Sequence, residues 1–342
     1  MATTSDASLS SSVDALLDAP PRQPDFPPDP PRAERDLVYR VVSSKVRLRV
    51  RLQEIWSSRE LFTFLVRKEL KVKYKSSVLG LLWSMLNPAV VLMVYYVVFK
   101  YIAKNPTPLF ALYLFSGLLV WNLFSTVLPG SASTIVQNAG IVKKVAFPRE
   151  ILPLSQVGTG VVFLFFQAIV MGLFLLGFQH SPDWAYLPLM LFALLDLIVL
   201  ASAFAIFLSA VNVYYRDVEH LVAVVIQAWF WGVAIVYNFN TVYDGLVYNP
   251  ITHAGHHLRW LLALYLIDPM EPIILSFQRF FYGTVTAHHI KSIAGGNYQV
   301  LAGYHYSFYL EMLAGVLVAG ILLFFGAMKV FGRIEGNFAE EL

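Results

Sequence analysis

The residues best suited to a functional contact stand between two apolar stretches, in the segment GIVKKVAFPREILPLS from Gly140 to Ser155. Its charged side chains are Lys143, Lys144, Arg149 and Glu150. Prolines at Pro148 and Pro153 interrupt it. Hydrocarbon does not tolerate charged, proline-broken backbone, because every backbone polar group needs a partner there. The pattern therefore predicts a short aqueous loop joining two membrane spans.

Motifs for nucleotide or hydrolytic chemistry are absent from the sequence. It contains no G-x-x-x-x-G-K-[ST] phosphate loop, no G-x-S-x-G and no H-E-x-x-H. It has no cysteine, which excludes disulfides and thiolate chemistry. We therefore expect no catalytic residue and no ATP site of the phosphate-loop type in this chain.

Two acids, Asp196 and Glu311, lie within apolar runs. A proton-driven carrier usually has a chain of such groups. Asp196 fits either a proton relay or an acid paired to a neighbouring helix, and we favour pairing because no partner base is visible. The histidine pattern H-x-x-H-H at His253, His256 and His257 is too weak to predict a metal site.

Composition places the chain in a membrane. It has 342 residues, of which 57% are hydrophobic and 14% charged, against about 25% charged in soluble domains. We predict an all-α polytopic protein with six transmembrane helices, since a span needs about 20 apolar residues in helical form. The predicted spans are about 81–103, 109–128, 151–178, 184–213, 221–237 and 308–331.

Two segments precede the spans. Residues 1–50, rich in Pro, Ser and Asp, predict a disordered cytoplasmic tail. Residues 51–78 predict an amphipathic helix at the membrane surface, which leaves 79–342 as the transmembrane domain. Its apolar stripe is Ile55, Phe62, Leu65, Val66 and Leu70, and its basic residues are Arg67, Lys68, Lys71, Lys73 and Lys75. Glu69 is expected to pair with Lys73, four residues on.

The apolar region at about 258–283 is broken by charge and proline. The breaking residues include Asp268, Pro269 and Glu271, and Arg279 follows. This break disfavours a single lipid-facing span, so we predict two short helices dipping into the outer face where protein shields the break. Most of the 25 lysines and arginines fall on the side holding both termini, which predicts cytoplasmic termini. The cytoplasmic loop between spans 4 and 5 contains Arg216 and Asp217.

Several longer motifs resemble one family. They are RKELKVKYKSSVLGLLWSMLNP, FSGLLVWNLFS, NAGIVKKVAFPREILPLS, VNVYYRDVEHL and VFGRIEGNFAEEL. In this order they resemble the membrane subunit of ABC-2-type polysaccharide exporters, from about residue 59 to the end. The resemblance implies a homodimer in the bacterial inner membrane with two separate ATP-binding cassette subunits. Those partners would bind ATP and Mg²⁺, while this chain would need no cofactor and bind no nucleic acid.

The resemblance also implies a cargo and roles for particular residues. The cargo would be a polyprenyl-diphosphate-linked glycan such as O-antigen, teichoic acid or galactan. A coupling helix at about 136–150 would contact the ATPase. Its contact residues would be Lys143, Lys144, Phe147, Pro148, Arg149 and Glu150. The basic residues of 51–78 would attract a lipid diphosphate or acidic membrane lipids. Residues Asp268, Pro269, Glu271 and Arg279 would belong to an outer gate.

Three alternatives remain open from the sequence. An ABC-2 exporter of drugs or lipids shares the architecture. A membrane glycosyltransferase needs carboxylates at the inner face, where Asp217 and Glu219 fit a loop cap better. A proton-coupled flippase needs more buried ionisable groups than Asp196 and Glu311.

Overall fold

A computed structural model of the chain describes residues 48–75, 82–105, 107–239, 265, 267–283, 285–291, 297–301 and 305–342. The described residues all belong to one compact unit. The predicted disordered tail lies outside them apart from its last three residues. The first arm of 258–283, apart from residues 265 and 267, and the H-x-x-H-H histidines also lie outside the described residues.

The described residues form eleven α-helices and one two-stranded sheet. The first helices are α1 (Leu48–Ser57), α2 (Arg59–Tyr74), α3 (Leu82–Tyr96), α4 (Phe110–Gln137), α5 (Ala139–Val142) and α6 (Ile151–Gly177). The next are α7 (Leu187–Tyr214), α8 (Val218–Trp229) and α9 (Met270–Phe281). Strands β1 (Thr286–Lys291) and β2 (Asn297–Gln299) precede α10 (Tyr306–Ile334) and α11 (Phe338–Glu341). A π-helical turn, Val97–Ile102, continues α3.

Four described helices are long and apolar enough to cross a membrane: α4, α6, α7 with its preceding turn, and α10 with its following turn. They confirm four of the six predicted spans as helices of sufficient length. At the places of predicted spans 1 and 5 the structure has the shorter apolar helices Pro88–Ile102 and Val218–Gly232. The helical class is confirmed, with the β1–β2 antiparallel pair as an addition that the sequence did not predict.

Helix α4 is the centre of the bundle. It packs against α6, α7, α8 and α9. Of its most apolar 18-residue stretch, 78% is buried inside the protein. In α10, by contrast, the corresponding share is 22%, because α10 packs mainly on α7 and leaves a wide apolar face outward. An outward apolar face is suited to lipid.

Two prolines stand where helices tolerate them. Pro153 is the third residue of α6 and Pro188 the second of α7. The first turn of a helix has no acceptor for backbone N–H groups, so the missing N–H of proline costs little there. Pro88 and Pro129 instead lie inside α3 and α4, as the predicted spans allowed.

The predicted amphipathic helix is two helices rather than one. The hydroxyls of Ser57 and Ser58 both donate to the carbonyl of Glu54 at 2.9 Å. Such serine hydroxyls compete with the helical backbone, and α1 ends at this point. The apolar stripe is confirmed in α2, where Leu65 and Val66 are buried.

Helix α9 does not cross the bilayer. Its 12 residues extend about 18 Å, against about 30 Å of hydrocarbon. All 12 are buried in the protein. The break predicted before it is confirmed, since α9 begins directly after Asp268 and Pro269.

Candidate functional site

Long-range contacts define two ends of the bundle. At the first, which we call the loop end, the 138–150 segment meets α2, α7 and the residues after α10. Lys68 Nζ donates to Asn138 Oδ1 at 3.0 Å, and the Tyr214 hydroxyl donates to the carbonyl of Ile334 at 3.0 Å. At the second, the hairpin end, the start of α4 meets the end of α9: the Tyr282 hydroxyl donates to the carbonyl of Pro108 at 2.7 Å.

The predicted coupling helix at 136–150 is wrong in extent. The only helical part between α4 and α6 is α5, the single turn Ala139–Val142, and residues 143–150 are turns and irregular chain. Proline disfavours helical backbone in the residue before it, so Phe147 cannot continue a helix into Pro148. The segment is a one-turn helix followed by a non-helical loop, which we call the 143–150 loop.

Exposure divides the 143–150 loop into two parts. Lys143, Lys144 and Val145 face solvent, and the Val145 side chain is 54% exposed. Phe147 is half-buried and packs on the cluster that holds Leu65, Ile151 and Phe331. The first part of the loop is therefore exposed, and the second part is partly or fully buried.

The second part of the loop is bound into this protein. Glu150 is 2% exposed, and its Oε1 accepts from Arg51 Nη1 of α1 at 2.5 Å. The same guanidinium pairs through Nη2 with Glu335, just after α10. One arginine thus ties together the interfacial helices, the loop and the C-terminal end.

Arg149 strengthens the same junction. Its Nη1 donates to the backbone carbonyl of Glu335 at 2.7 Å, and its guanidinium lies 5.8 Å from the Phe338 ring centre. Sequence reasoning placed Arg149 and Glu150 in the partner-contact surface. The structure directs both of them inward.

The environment of Glu150 disfavours its charged form. Burial raises the pKa of the Glu150 carboxyl, and the neighbouring Glu335 acts in the same direction. Arg51 opposes both effects without reversing them. A carboxyl held between an arginine and a second acid responds to any movement of either partner.

The basic residues of α2 do not form one uniform surface. Arg67, Lys71, Lys73 and Lys75 are exposed, while Lys68 is held by Asn138. Lys73 places its Nζ 4.3 Å from the Phe163 ring centre, and partial burial lowers the pKa of Lys73. The predicted Glu69–Lys73 pair is wrong: Glu69 lies instead 3.7 Å from the ammonium of Lys68.

Helix α2 is seated on α6 by close approach at a glycine. A Cβ built on Gly158 would come within 2.6 Å of Phe62 Cζ and 2.9 Å of Val66 Cγ2. A larger residue fits there only if the Phe62 and Val66 side chains shift. Gly158 therefore leaves room for the Phe62 and Val66 side chains of α2 against α6.

At the hairpin end, Asp268 organises the start of α9. Its Oδ1 accepts from the Met270 backbone N–H at 2.9 Å, and its Oδ2 accepts from Trp229 Nε1 at 2.7 Å. Glu271 accepts from the Ala234 N–H at 2.9 Å. Asp268 therefore joins α9 to the last residue of α8, and Glu271 joins it to the chain that follows α8.

Arg279 completes the hairpin end. The Arg279 guanidinium lies 4.5 Å from the ring centre of Tyr186, and Arg279 Nη2 donates to the Tyr186 hydroxyl at 3.2 Å. Pro269 is the residue before α9. The predicted gate residues Asp268, Glu271 and Arg279 thus hold α9 in place from both of its ends.

The loop between α7 and α8 is short and differs from its predicted form. Arg216 and Asp217 are exposed, and Asp217 makes no side-chain bond to the start of α8. Asn212 caps this start instead, since its Oδ1 accepts from the Glu219 N–H at 3.1 Å. Sequence reasoning missed Asn212, which lies inside an apolar run.

The favoured pairing of Asp196 is also wrong. Asp196 is 1% exposed inside α7, and neither of its carboxyl oxygens has a hydrogen-bond partner among the described residues. Glu311 is exposed on α10. The two acids lie on different helices and do not form a chain of ionisable groups within the described part of the molecule.

The four long apolar helices, packed with one another in one bundle, define a polytopic helical membrane protein. The family model described as ABC-2 type transporter matches residues 60–263. The O-antigen export system permease protein RfbA of Myxococcus xanthus is 32% identical over 293 residues, covering 85% of this chain and 98% of that protein. A Klebsiella pneumoniae protein of the same name is 28% identical over 286 residues, covering 83% and 95%. The chain belongs to the ABC-2 type transporter family.

Proposed function

We propose that this chain is the permease half of an ATP-driven exporter that moves polyprenyl-diphosphate-linked polysaccharide across the bacterial inner membrane. The similarity to O-antigen export permeases along 83% to 85% of the chain supports a glycan cargo over drugs or lipids. The four long apolar helices support a multi-pass permease. The count of six spans follows the sequence pattern, in which α3 and α8 would each be part of a longer span. Both termini and the 143–150 loop face the cytosol in this proposal, following the concentration of positive charge.

The observation that carries the proposal is the division of the 143–150 loop. Lys143, Lys144 and Val145 project outward, while Arg149 and Glu150 bind Glu335 and Arg51. The base of this surface is bonded to two other elements, α1 and the residues after α10, so the loop would pass on a movement of a partner rather than deform. This geometry suits docking of an ATP-binding cassette subunit, two of which would serve a homodimer of this chain.

The assignment of single residues follows from this division. Lys143, Lys144 and Val145 would touch the ATPase, with Phe147 and Pro148 supporting them. Arg149 and Glu150 would transmit the movement to α6 and to the C-terminal end. Asp268, Pro269, Glu271 and Arg279 would shape the outer exit around α9, and Arg216 and Asp217 would lie in a second cytoplasmic loop.

Depletion of the protein tests the cargo. Cells would be pulse-labelled, the protein depleted, and the polyprenyl-linked pool analysed by mass spectrometry. We expect a defined lipid-linked glycan to accumulate on the cytosolic side. Normal surface glycan without accumulation would contradict the polysaccharide proposal and favour a drug or lipid exporter.

Charge reversal tests the docking surface. The double substitution Lys143→Glu with Lys144→Glu should abolish export and co-purification of the ATPase subunit, while the protein inserts and melts normally. Lys104→Glu is the matched control, because Lys104 is exposed but follows α3 at the opposite end of the bundle from the loop. Normal export by the double variant would refute docking at these lysines.

A further inference from the structure

A cleft of about 310 Å³ lies between α2, α3, α4 and α6. Its lining includes Lys73, Trp83, Asn122, Thr126, Phe163 and Gln167. Small-molecule sites in proteins occupy about 300–1,000 Å³, so this cleft is large enough for a headgroup and too small for a polymer. It begins at the surface helix α2 and reaches the middle of two membrane spans.

The mouth of the cleft has a single cation among the described lining residues. Lys71, Lys73 and Lys75 are all exposed on the same helix, but only Lys73 lines the cleft, with its ammonium over the Phe163 ring. An ammonium at the end of a flexible stem recognises phosphate as a point charge. This position distinguishes Lys73 from the general basic character of α2.

The interior of the cleft is polar at membrane depth. Asn122 Nδ2 of α4 donates to Gln167 Oε1 of α6 at 3.0 Å, and Gln167 is only 6% exposed. This bond uses one polar atom of each amide, leaving Asn122 Oδ1 as an acceptor and Gln167 Nε2 as a donor. Amide groups in hydrocarbon are costly unless they find partners, so the pair favours a guest that hydrogen-bonds.

We propose that this cleft binds the phosphosugar end of a lipid-linked saccharide, with phosphate at Lys73 and sugar hydroxyls at Asn122 and Gln167. The inference rests on the proposed function and names the part of the cargo recognised and where. Hydroxyls both donate and accept, which matches the two amide atoms left by the Asn122–Gln167 bond. A phosphatidylcholine headgroup carries a phosphate but no hydroxyl, so it would engage Lys73 and leave the amides unused.

Binding to the full-length protein in phosphatidylcholine nanodiscs tests the site. The probes are radiolabelled farnesyl diphosphate and the same diphosphate carrying one hexose. We expect the wild type to prefer the hexose probe. Lys73→Ala should weaken binding of both probes about tenfold, the effect of losing one charge-assisted contact. Lys71→Ala and Lys75→Ala, the matched controls, should change binding less than about twofold.

The double substitution Asn122→Leu with Gln167→Leu tests the sugar contact. Replacing both partners leaves no unpaired amide, so the fold should be retained. The preference for the hexose probe should disappear while binding of the sugar-free probe is unchanged. The Lys73 variants lie on the surface helix and provide an arm that does not depend on the folding of this double variant.

Each contrary result has a clear meaning. Equal losses from all three lysine variants would overturn the site in favour of general attraction to α2. Phosphatidylglycerol and the unlabelled hexose probe would be compared as competitors of the labelled hexose probe. If phosphatidylglycerol displaced the label equally well, the cleft would be assigned to phospholipid. A hexose preference that survives the double substitution, or no binding by the wild type, would also overturn it. Glycan accumulation after depletion would still support the proposed function in all of these cases.

Discussion

Arg51 and Glu150 lie 99 positions apart in the chain, and their side chains meet in a mostly buried ion pair at 2.5 Å. The second branch of the same guanidinium binds Glu335. The pair therefore connects α1 to Glu150, the residue directly before α6. The 143–150 loop therefore cannot move against the membrane spans without breaking or carrying along a buried charge pair.

Removing the arginine leaves two acids facing each other. We expect Arg51→Met to lower the free energy of unfolding by about 3 kcal/mol, the usual cost of an uncompensated buried charge. Thermal melting in detergent, followed by loss of soluble protein, measures the effect. Arg49→Met is the matched control, since Arg49 is exposed on the same helix. Equal melting temperatures of the two variants would show that the ion pairs contribute nothing to stability.

The raised pKa of Glu150 predicts a specific pH dependence. Because the folded pKa exceeds the unfolded one, the folded state favours the neutral acid. The stability from this preference is complete below about pH 4.3, the ordinary glutamate pKa, and is lost as pH rises through the folded value. Glu150→Gln lacks this loss. Its melting temperature relative to wild type should therefore increase as pH rises through that window.

Arg51 determines where that window ends. Without the arginine, burial and Glu335 act on Glu150 unopposed, so the pKa of Glu150 should rise further in Arg51→Met. In the Arg51→Met background, the melting temperature of Glu150→Gln should therefore begin to exceed that of its parent protein at a higher pH. Parallel pH profiles in both backgrounds would contradict a direct interaction between the two side chains.

Gly158 provides a test of the seat of α2. Gly158→Val should force Phe62 and Val66 away from α6, and overpacking of this kind costs about 1–3 kcal/mol. We expect a lower melting temperature and faster tryptic cleavage at Lys68 and Lys71. Gly172→Val is the control on the same helix, because no atom of another residue lies within 4 Å of its added Cβ. Identical cleavage of both variants would disprove the close seat.

Periodicity predicted well the elements that depend only on local pattern. The long apolar runs gave α4, α6, α7 and α10, and the stripe of Leu65 and Val66 gave the buried face of α2. The break before α9 followed from Asp268 and Pro269. These features need no knowledge of distant residues, because each run carries its own hydrophobic and proline signals.

The direction of charged side chains was not predictable in this way. Lys143 and Glu150 belong to one charged segment, yet one faces solvent and the other is 2% exposed. The difference arises from Arg51 and Glu335. Arg51 lies 99 positions from Glu150 and 284 positions from Glu335 along the chain. Sequence spacing contains no signal for such partners. Lys73 likewise contacts the Phe163 ring rather than the nearby Glu69, because α2 packs on α6.

Asp196 makes the final prediction, because its buried carboxyl has no hydrogen-bond partner among the described residues. Burying a polar group without a partner costs about 1–3 kcal/mol, so Asp196→Leu should raise the melting temperature. Asn212→Leu on the same helix is the opposite case, since it removes the Asn212 cap of α8 and should lower it. Export should continue in Asp196→Leu if the acid is a bystander. Loss of export in a more stable Asp196→Leu protein would instead make this acid part of the transport path, at the expense of stability.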